Sequence, residues 1–188
     1  MGQFYTNHTI KGPSQQEVAD ALLGRSAYVT PSLDGCVVVY DELSEEQDAE
    51  VISDLGCMLS GQFHAPVLAS LMHDDDVLML FHFHEGELID EYDSCPGYFD
   101  PDADGDPIPI GGDASSLCAA FGGDSPPQLE QILRKPPFDE DSPDQHERHS
   151  RIASHLGIPS CVVGIGFSYL ESDDPLDGLD RTSLIRTA

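Results

Sequence analysis

Positive charge is what this sequence has least of. Its 188 residues carry 8 Lys plus Arg against 35 Asp plus Glu, for a formal net charge of −27. Only two lysines occur, Lys11 and Lys135. Nucleic-acid affinity comes largely from cationic side chains that release counterions, so direct DNA or RNA binding is not expected. Binding to anionic lipid surfaces is disfavoured for the same reason. There is no tryptophan, no apolar run as long as a membrane helix, and no basic stretch followed by an apolar one near Met1. Those absences point to the cytoplasm. Met1 to Thr6 matches a myristoylation pattern, but the residues that follow read as a strand, and one acyl chain anchors weakly beside so much negative charge.

Paired cysteine motifs are also missing. Cys36, Cys57, Cys95, Cys118 and Cys161 are odd in number, scattered and without a CxxC spacing. Thiols of this kind behave as small hydrophobes in a reducing compartment rather than as a disulfide framework. At 39% apolar residues the chain can build a core without staples. Its acidity has three readings: a solvated surface suited to a salty or crowded cytoplasm, an acidic face that docks a basic protein, or a cation site.

Gln3–Ile10 is rich in aromatic and β-branched residues and reads as a strand. Ser14-Gln15-Gln16-Glu17 is a capping box that opens a helix stopping at Gly24. Ala27–Ser32 and Cys36–Tyr40 flank Asp34-Gly35, a hairpin turn because Asp-Gly accepts positive φ cheaply. A second capping box at Ser44-Glu45-Glu46-Gln47 precedes Val51, Leu55, Met58 and Leu59 at helical spacing. Pro66–Met72, Val77–His84 and Glu87–Tyr92 read as three successive strands of a meander. Residues 94–112 form a long Pro-, Gly- and Asp-rich loop. Asp113, Ser125-Pro126 and Ser142-Pro143 each open a helix, with a polar linker over about 136–142. Cys161–Leu170 alternates and reads as a final strand, and 171–188 as an acidic, mobile tail. The expected fold is α+β over residues 1–170: a ferredoxin-like βαββαβ N-terminal portion, extended by a β-meander, a helical C-terminal section and that strand.

Two constellations have metal-ligand chemistry. Asp100, Asp102, Asp104 and Asp106, with Gly105, imitate the first half of a calcium-binding EF-hand loop. The later positions fail, since Pro107 and Gly111 stand where ligands belong. His82 and His84 share one face of a strand, and a two-residue Glu85-Gly86 turn sets His84 opposite Glu87. Two imidazoles and a carboxylate suit a transition metal. His146-Glu147-Arg148-His149 lacks the spacing of a zinc-protease helix, because Ser150 stands where the second ligand belongs; both histidines then belong to a solvated helix face. No phosphate loop, dinucleotide fingerprint or nucleophile elbow is present. At the mouth of the long loop, Tyr92, Asp93, Cys95, Tyr98 and Phe99 form the expected interaction surface, with Tyr98 and Phe99 plugging the core. Acidic neighbours raise the Cys95 thiol and argue against a nucleophile.

Residues 73–76 through Gly86–Phe99, and Leu156–Pro159 through Gly166–Leu170, resemble segments of an uncharacterised family of bacterial hypothetical proteins. The resemblance implies a bacterial cytosolic origin and brings no catalytic residue, cofactor or substrate. The function expected from the residues is that of a non-enzymatic binding protein. A metal-binding protein or metal-dependent hydrolase is the first alternative, and an acidic inhibitor of a basic toxin or nuclease the second. If the acidity is an adaptation to salt, moving the protein from 1 M to about 0.01 M NaCl lowers its thermal midpoint, because unscreened self-repulsion returns. Calorimetry at the two salt concentrations checks this.

Overall fold

The computed structural model describes residues 2–100, 102, 107–137, 143–172, 174–176 and 178–188. Seven strands form one antiparallel sheet: β1 (Tyr5–Lys11), β2 (Ala27–Val29), β3 (Cys36–Asp41), β4 (Val67–His73), β5 (Val77–His84), β6 (Glu87–Asp93) and β7 (Ile185–Thr187). Their order is β6-β5-β4-β1-β3-β2-β7. Six helices are present among the described residues: α1 (Gln15–Ala21), α2 (Ala49–Phe63), α3 (Ala114–Phe121), α4 (Pro126–Leu133), α5 (Gln145–Leu156) and α6 (Phe167–Glu171).

The strand period of two divides the sheet residues between two cores. On one face Ile10, Val37, Val39, Val67, Phe81 and Phe83 meet Val18 of α1, Leu22 at its C-terminal cap, and Ile52, Leu55 and Leu59 of α2. On the other, Tyr5, Val38, Tyr40, Leu68, Leu80 and Tyr92 meet Leu117, Leu129, Ile152 and Phe167 from α3 to α6. Helix α2 is amphipathic by spacing, with Ile52, Leu55, Gly56 and Leu59 inward, and Asp48 caps it by accepting from the amides of Glu50 and Val51. Ser14 and Glu17 form the full capping box of α1. The Asp34-Gly35 turn has φ of 51° and 77°, the double positive value that a tight hairpin needs. The meander is observed, with His84 opposite Glu87, as its turn predicts.

Four sequence expectations are corrected. Ser44–Glu46 is a short 3-10 turn rather than the first turn of a helix, because the Ser44 hydroxyl donates to Asp41 (2.7 Å) instead of capping. Gln47 then takes a left-handed conformation, and Asp48 supplies the cap. Helix α5 is capped by Asp144, which accepts from Glu147 N. Cys161–Leu170 is not a strand: a 3-10 turn spans Ser160–Val162 and α6 begins at Phe167. Its carbonyls are taken by side chains rising from the sheet, Cys161 by the Tyr40 hydroxyl (2.8 Å) and Val162 by the Asn7 amide (2.8 Å). Nor do residues 185–187 behave as part of a mobile tail. They form β7, paired with β2 through Ala27↔Thr187, Tyr28↔Arg186 and Val29↔Ile185.

Gly56 sits where α2 crosses β5, and a Cβ built there falls 2.3 Å from the Phe83 ring. Alanine is the better helix former by about 1 kcal/mol, but overpacking of this kind costs about 1–3 kcal/mol. Gly56→Ala therefore lowers the urea midpoint, and adding Phe83→Leu recovers part of the loss.

Candidate functional site

The sequence-predicted residues fall at opposite ends of β5. At the end that leads into the β5–β6 turn, His82 and His84 face the α3 side of the sheet. A cleft of about 480 Å³ opens there, lined by Pro66, His82, His84, Ile89, Ser116, Ala119 and Ala120. His82 is buried, at 4% exposure, and its Nε2 has no hydrogen-bond partner. Its Nδ1 lies 3.5 Å from Ser116 Oγ, a long contact, and its ring tilts against Phe121 at 5.9 Å. Burial lowers the His82 pKa, and His84 lowers it further, against a smaller opposing pull from Asp90 and Asp113. The ring is neutral at pH 7. Ser116 occupies the first turn of α3, where Asp113 accepts from its amide, and Asp113 N in turn donates to Asp90. These bonds fix the helix start against β6. Glu87 lies opposite His84 in register, and its residue is exposed.

Among the described residues no three His, Cys, Asp or Glu side chains are placed to hold a metal ion. The His82, His84 and Glu87 set is not brought together as a ligand group. Of the acidic loop, Asp100 and Asp102 are exposed, and Asp102 N donates to Asp100 Oδ1 (3.0 Å). Asp104 and Asp106 lie outside the described residues.

At the other end of β5, four rings pack edge to face. Phe4 and Phe99 stand against His73, with centroids 4.8 Å and 4.9 Å away, and Tyr98 packs on Phe99 at 5.1 Å. Tyr98 and Phe99 do not plug the core. They are 37% and 64% exposed, and Phe4 is 49% exposed. The turn that carries them, with Gly97 at φ 85° and Tyr98 N bonded to Cys95 O, points the chain outward, and the core position is filled by Cys95 and Tyr92 instead. The Tyr98 hydroxyl donates to Asp76 (3.0 Å), so the β4–β5 turn with its three aspartates braces the aromatic group. Burial first, then Asp93 and Asp76, raises the Cys95 thiol. The Tyr92 hydroxyl is inside the protein, donating to Leu133 O and accepting from Arg148.

Sequence reasoning missed the buried polar centre. His149 is fully buried rather than on a solvated face, with Nδ1 2.8 Å from the Tyr5 hydroxyl and its ring stacked on Tyr5. Arg148 beside it is buried and donates to the carbonyls of Ile132, Leu133 and Lys135. The one available signal was the short spacing of polar residues in α5, which leaves some of them no outward face. His8, buried on the opposite side of β1, lies 3.0 Å from Ile52 O through Nε2.

Burial lowers the pKa of His8 from 6.5 to about 4 and that of His149 from 6.5 to about 3. Between those values and 6.5 the unfolded chain binds more protons than the folded one, so stability is complete above pH 6.5 and falls as the pH drops. His149→Gln removes one such ring. Its stability deficit relative to the wild type shrinks by about 2.5 kcal/mol between pH 7 and pH 4.5, measured as urea unfolding free energies.

No helix among the described residues is long and apolar enough to cross a membrane. No family model, no curated protein and no solved structure matches this chain.

Proposed function

We propose that this chain is a non-enzymatic, cytoplasmic binding protein whose partner is a basic protein, gripped at the aromatic cluster of Phe4, His73, Tyr98 and Phe99. One observation carries the reading: three large rings stay exposed, fixed by one another and by Asp76, within the field of the Asp74 carboxylate. Ordered aromatic faces beside fixed negative charge attract guanidinium groups twice over, by cation–π contact and by long-range field. The overall charge of −27 steers a cationic partner toward this surface and repels polyanions. An acidic inhibitor of a basic toxin or nuclease is one form that such a partnership takes.

The scaffold that presents the cluster is, in this reading, a ferredoxin-like unit built from the first four strands. Support comes from the order β4-β1-β3-β2 and from the placement of α1 and α2 on the same face. The meander strands β5 and β6 extend it on one side, and the β4–β5 turn carries His73 and the three aspartates to the rim.

An arginine–glycine repeat peptide is the direct probe. It is expected to bind the wild-type protein with an affinity that falls steeply as salt rises. Phe99→Ala and Tyr98→Ala are each expected to weaken it roughly tenfold by calorimetry, a loss within the range of a desolvated cation–π contact. Asp20→Asn, which removes one charge on α1, is expected to leave it unchanged. Equal affinity in all four proteins sinks the proposal, because it reduces the attraction to diffuse charge.

A further inference from the structure

Helix α5 and the irregular segment that follows it frame a cleft of about 440 Å³, within the size range of small-molecule sites. His146 and Ser150 stand four residues apart on α5 and so share the helix face that borders it. Gln3, just before β1, and Ser160 complete the polar part of the lining. All four residues are exposed, and among the described residues none of their side chains makes a hydrogen bond, so their donors and acceptors are open to a ligand. Gly164 also lines the cleft, at φ 76°. The point where its Cβ would stand is 3.3 Å from His146 Nε2 and 3.5 Å from Gln3 Oε1, so the missing side chain leaves a gap between two polar atoms. Tyr169, 38% exposed, is tethered at the border through its hydroxyl, which donates to Pro175 O (3.2 Å). In a chain where 23% of the residues are charged, this lining contains no Asp, Glu, Lys or Arg.

We infer that this cleft binds a neutral pyranose sugar of the glucose type, with one C–H face against Tyr169 and its hydroxyls on Gln3, His146, Ser150 and Ser160. The lining offers no counter-charge to an ionised ligand, which selects a neutral one. Serine hydroxyls, a primary amide and an imidazole each give and take hydrogen bonds, as a sugar hydroxyl does. A carboxylate on the ligand is further disfavoured by the adjoining recess, which shares Gln3, Gly164 and Tyr169 and is lined by Glu45 and Asp174. A glucose-type ring carries its hydroxyls equatorially, so its two faces are apolar C–H surfaces that a tyrosine ring can cover. The gap at Gly164 places one hydroxyl within reach of both His146 Nε2 and Gln3 Oε1.

The test is an NMR titration of the full chain with methyl β-D-glucopyranoside, methyl β-D-glucuronide and sorbitol. The glucoside is expected to saturate one site with a Kd of about 1 mM, shifting the Gly164 amide and the His146 ring signals. The glucuronide adds a carboxylate, and sorbitol has the hydroxyls but no ring face. Each is expected to bind at least about tenfold more weakly. Tyr169→Ala is expected to lose about tenfold in affinity, while Tyr169→Phe, which keeps the ring, stays within about threefold of the wild type. Ser150→Met adds bulk at an exposed helix position and is expected to abolish binding while the far-UV spectrum stays unchanged. Failure of the glucoside to saturate, shifts confined to residues outside the cleft, equal binding of the three probes, or undiminished binding in Tyr169→Ala or Ser150→Met each overturns the inference. Phe99→Ala is expected to bind the glucoside as the wild type does, so the cleft and the aromatic cluster fail or stand separately.

Discussion

Strand β1 is buried on both faces while carrying Tyr5, Thr6, Asn7, His8 and Thr9, and every other layer is arranged around that constraint. A central strand ordinarily reads as a run of valine and isoleucine. Here polar atoms are buried at the middle of the sheet, where an unmet donor or acceptor costs about 1–3 kcal/mol. The helical layers meet part of the demand, while Thr6 Oγ1, Asn7 Oδ1, His8 Nδ1 and Thr9 Oγ1 find no partner among the described residues. The Ile52 carbonyl of α2 reaches His8 on one side, while His149 of α5 reaches Tyr5 on the other. Asn7 holds the carbonyls of Val162 and Ile165 (2.8 and 3.3 Å). These bonds are directional, whereas the surrounding apolar contacts are not, so they fix where each layer sits on the sheet.

That arrangement accounts for the irregular segment between α5 and α6. Backbone that joins no ladder still needs its carbonyls satisfied. Tyr40 and Asn7 do this from below, and Gly166 lets the chain come close enough for Glu45 to accept from the amides of Phe167 and Ser168 (3.1 Å each). A Cβ at Gly166 would stand 2.5 Å from the Glu45 carboxylate. The alternating pattern of Cys161, Val163, Ile165 and Phe167 resembles a strand. Burial there does not alternate, since Val162 is buried and Val163 only half-buried, and the carbonyls find side chains rather than a neighbouring strand.

Local signals in the sequence survived where a single mechanism determined the outcome. The Ser14–Glu17 box, the Asp34-Gly35 hairpin, the meander and the His84–Glu87 pairing were all legible, since turn geometry and cap chemistry act within a few residues. Long-range competition was not legible. Ser44 had two partners to choose from, and Asp41, itself held by Arg25 (2.5 and 2.8 Å), took it from the cap. The burden on His149 and Arg148 was hidden because the first half of α5 is polar, and its inward side meets the Tyr5 hydroxyl and the carbonyls at the end of α4. Of the candidate sites, the histidine pair was found correctly as a shared face. Its role as part of a cleft depended on α3, more than thirty residues further along the chain.

Strand β5 ties these observations into one argument about function. Its two ends differ in chemistry because they differ in what covers them. At the His84 end α3 lies over the sheet, so His82 is buried beside an apolar cleft and its pKa is lowered. At the Val77 end the rings of Phe4, Tyr98 and Phe99 stay exposed beside Asp74 and Asp76. One strand therefore borders a largely apolar cleft at one end and an anionic aromatic rim at the other. The excess of carboxylates adds little to the first, whose lining is largely apolar. It strengthens the second for any cation that approaches. The charge of the whole chain thus bears on the rim and hardly on the cleft.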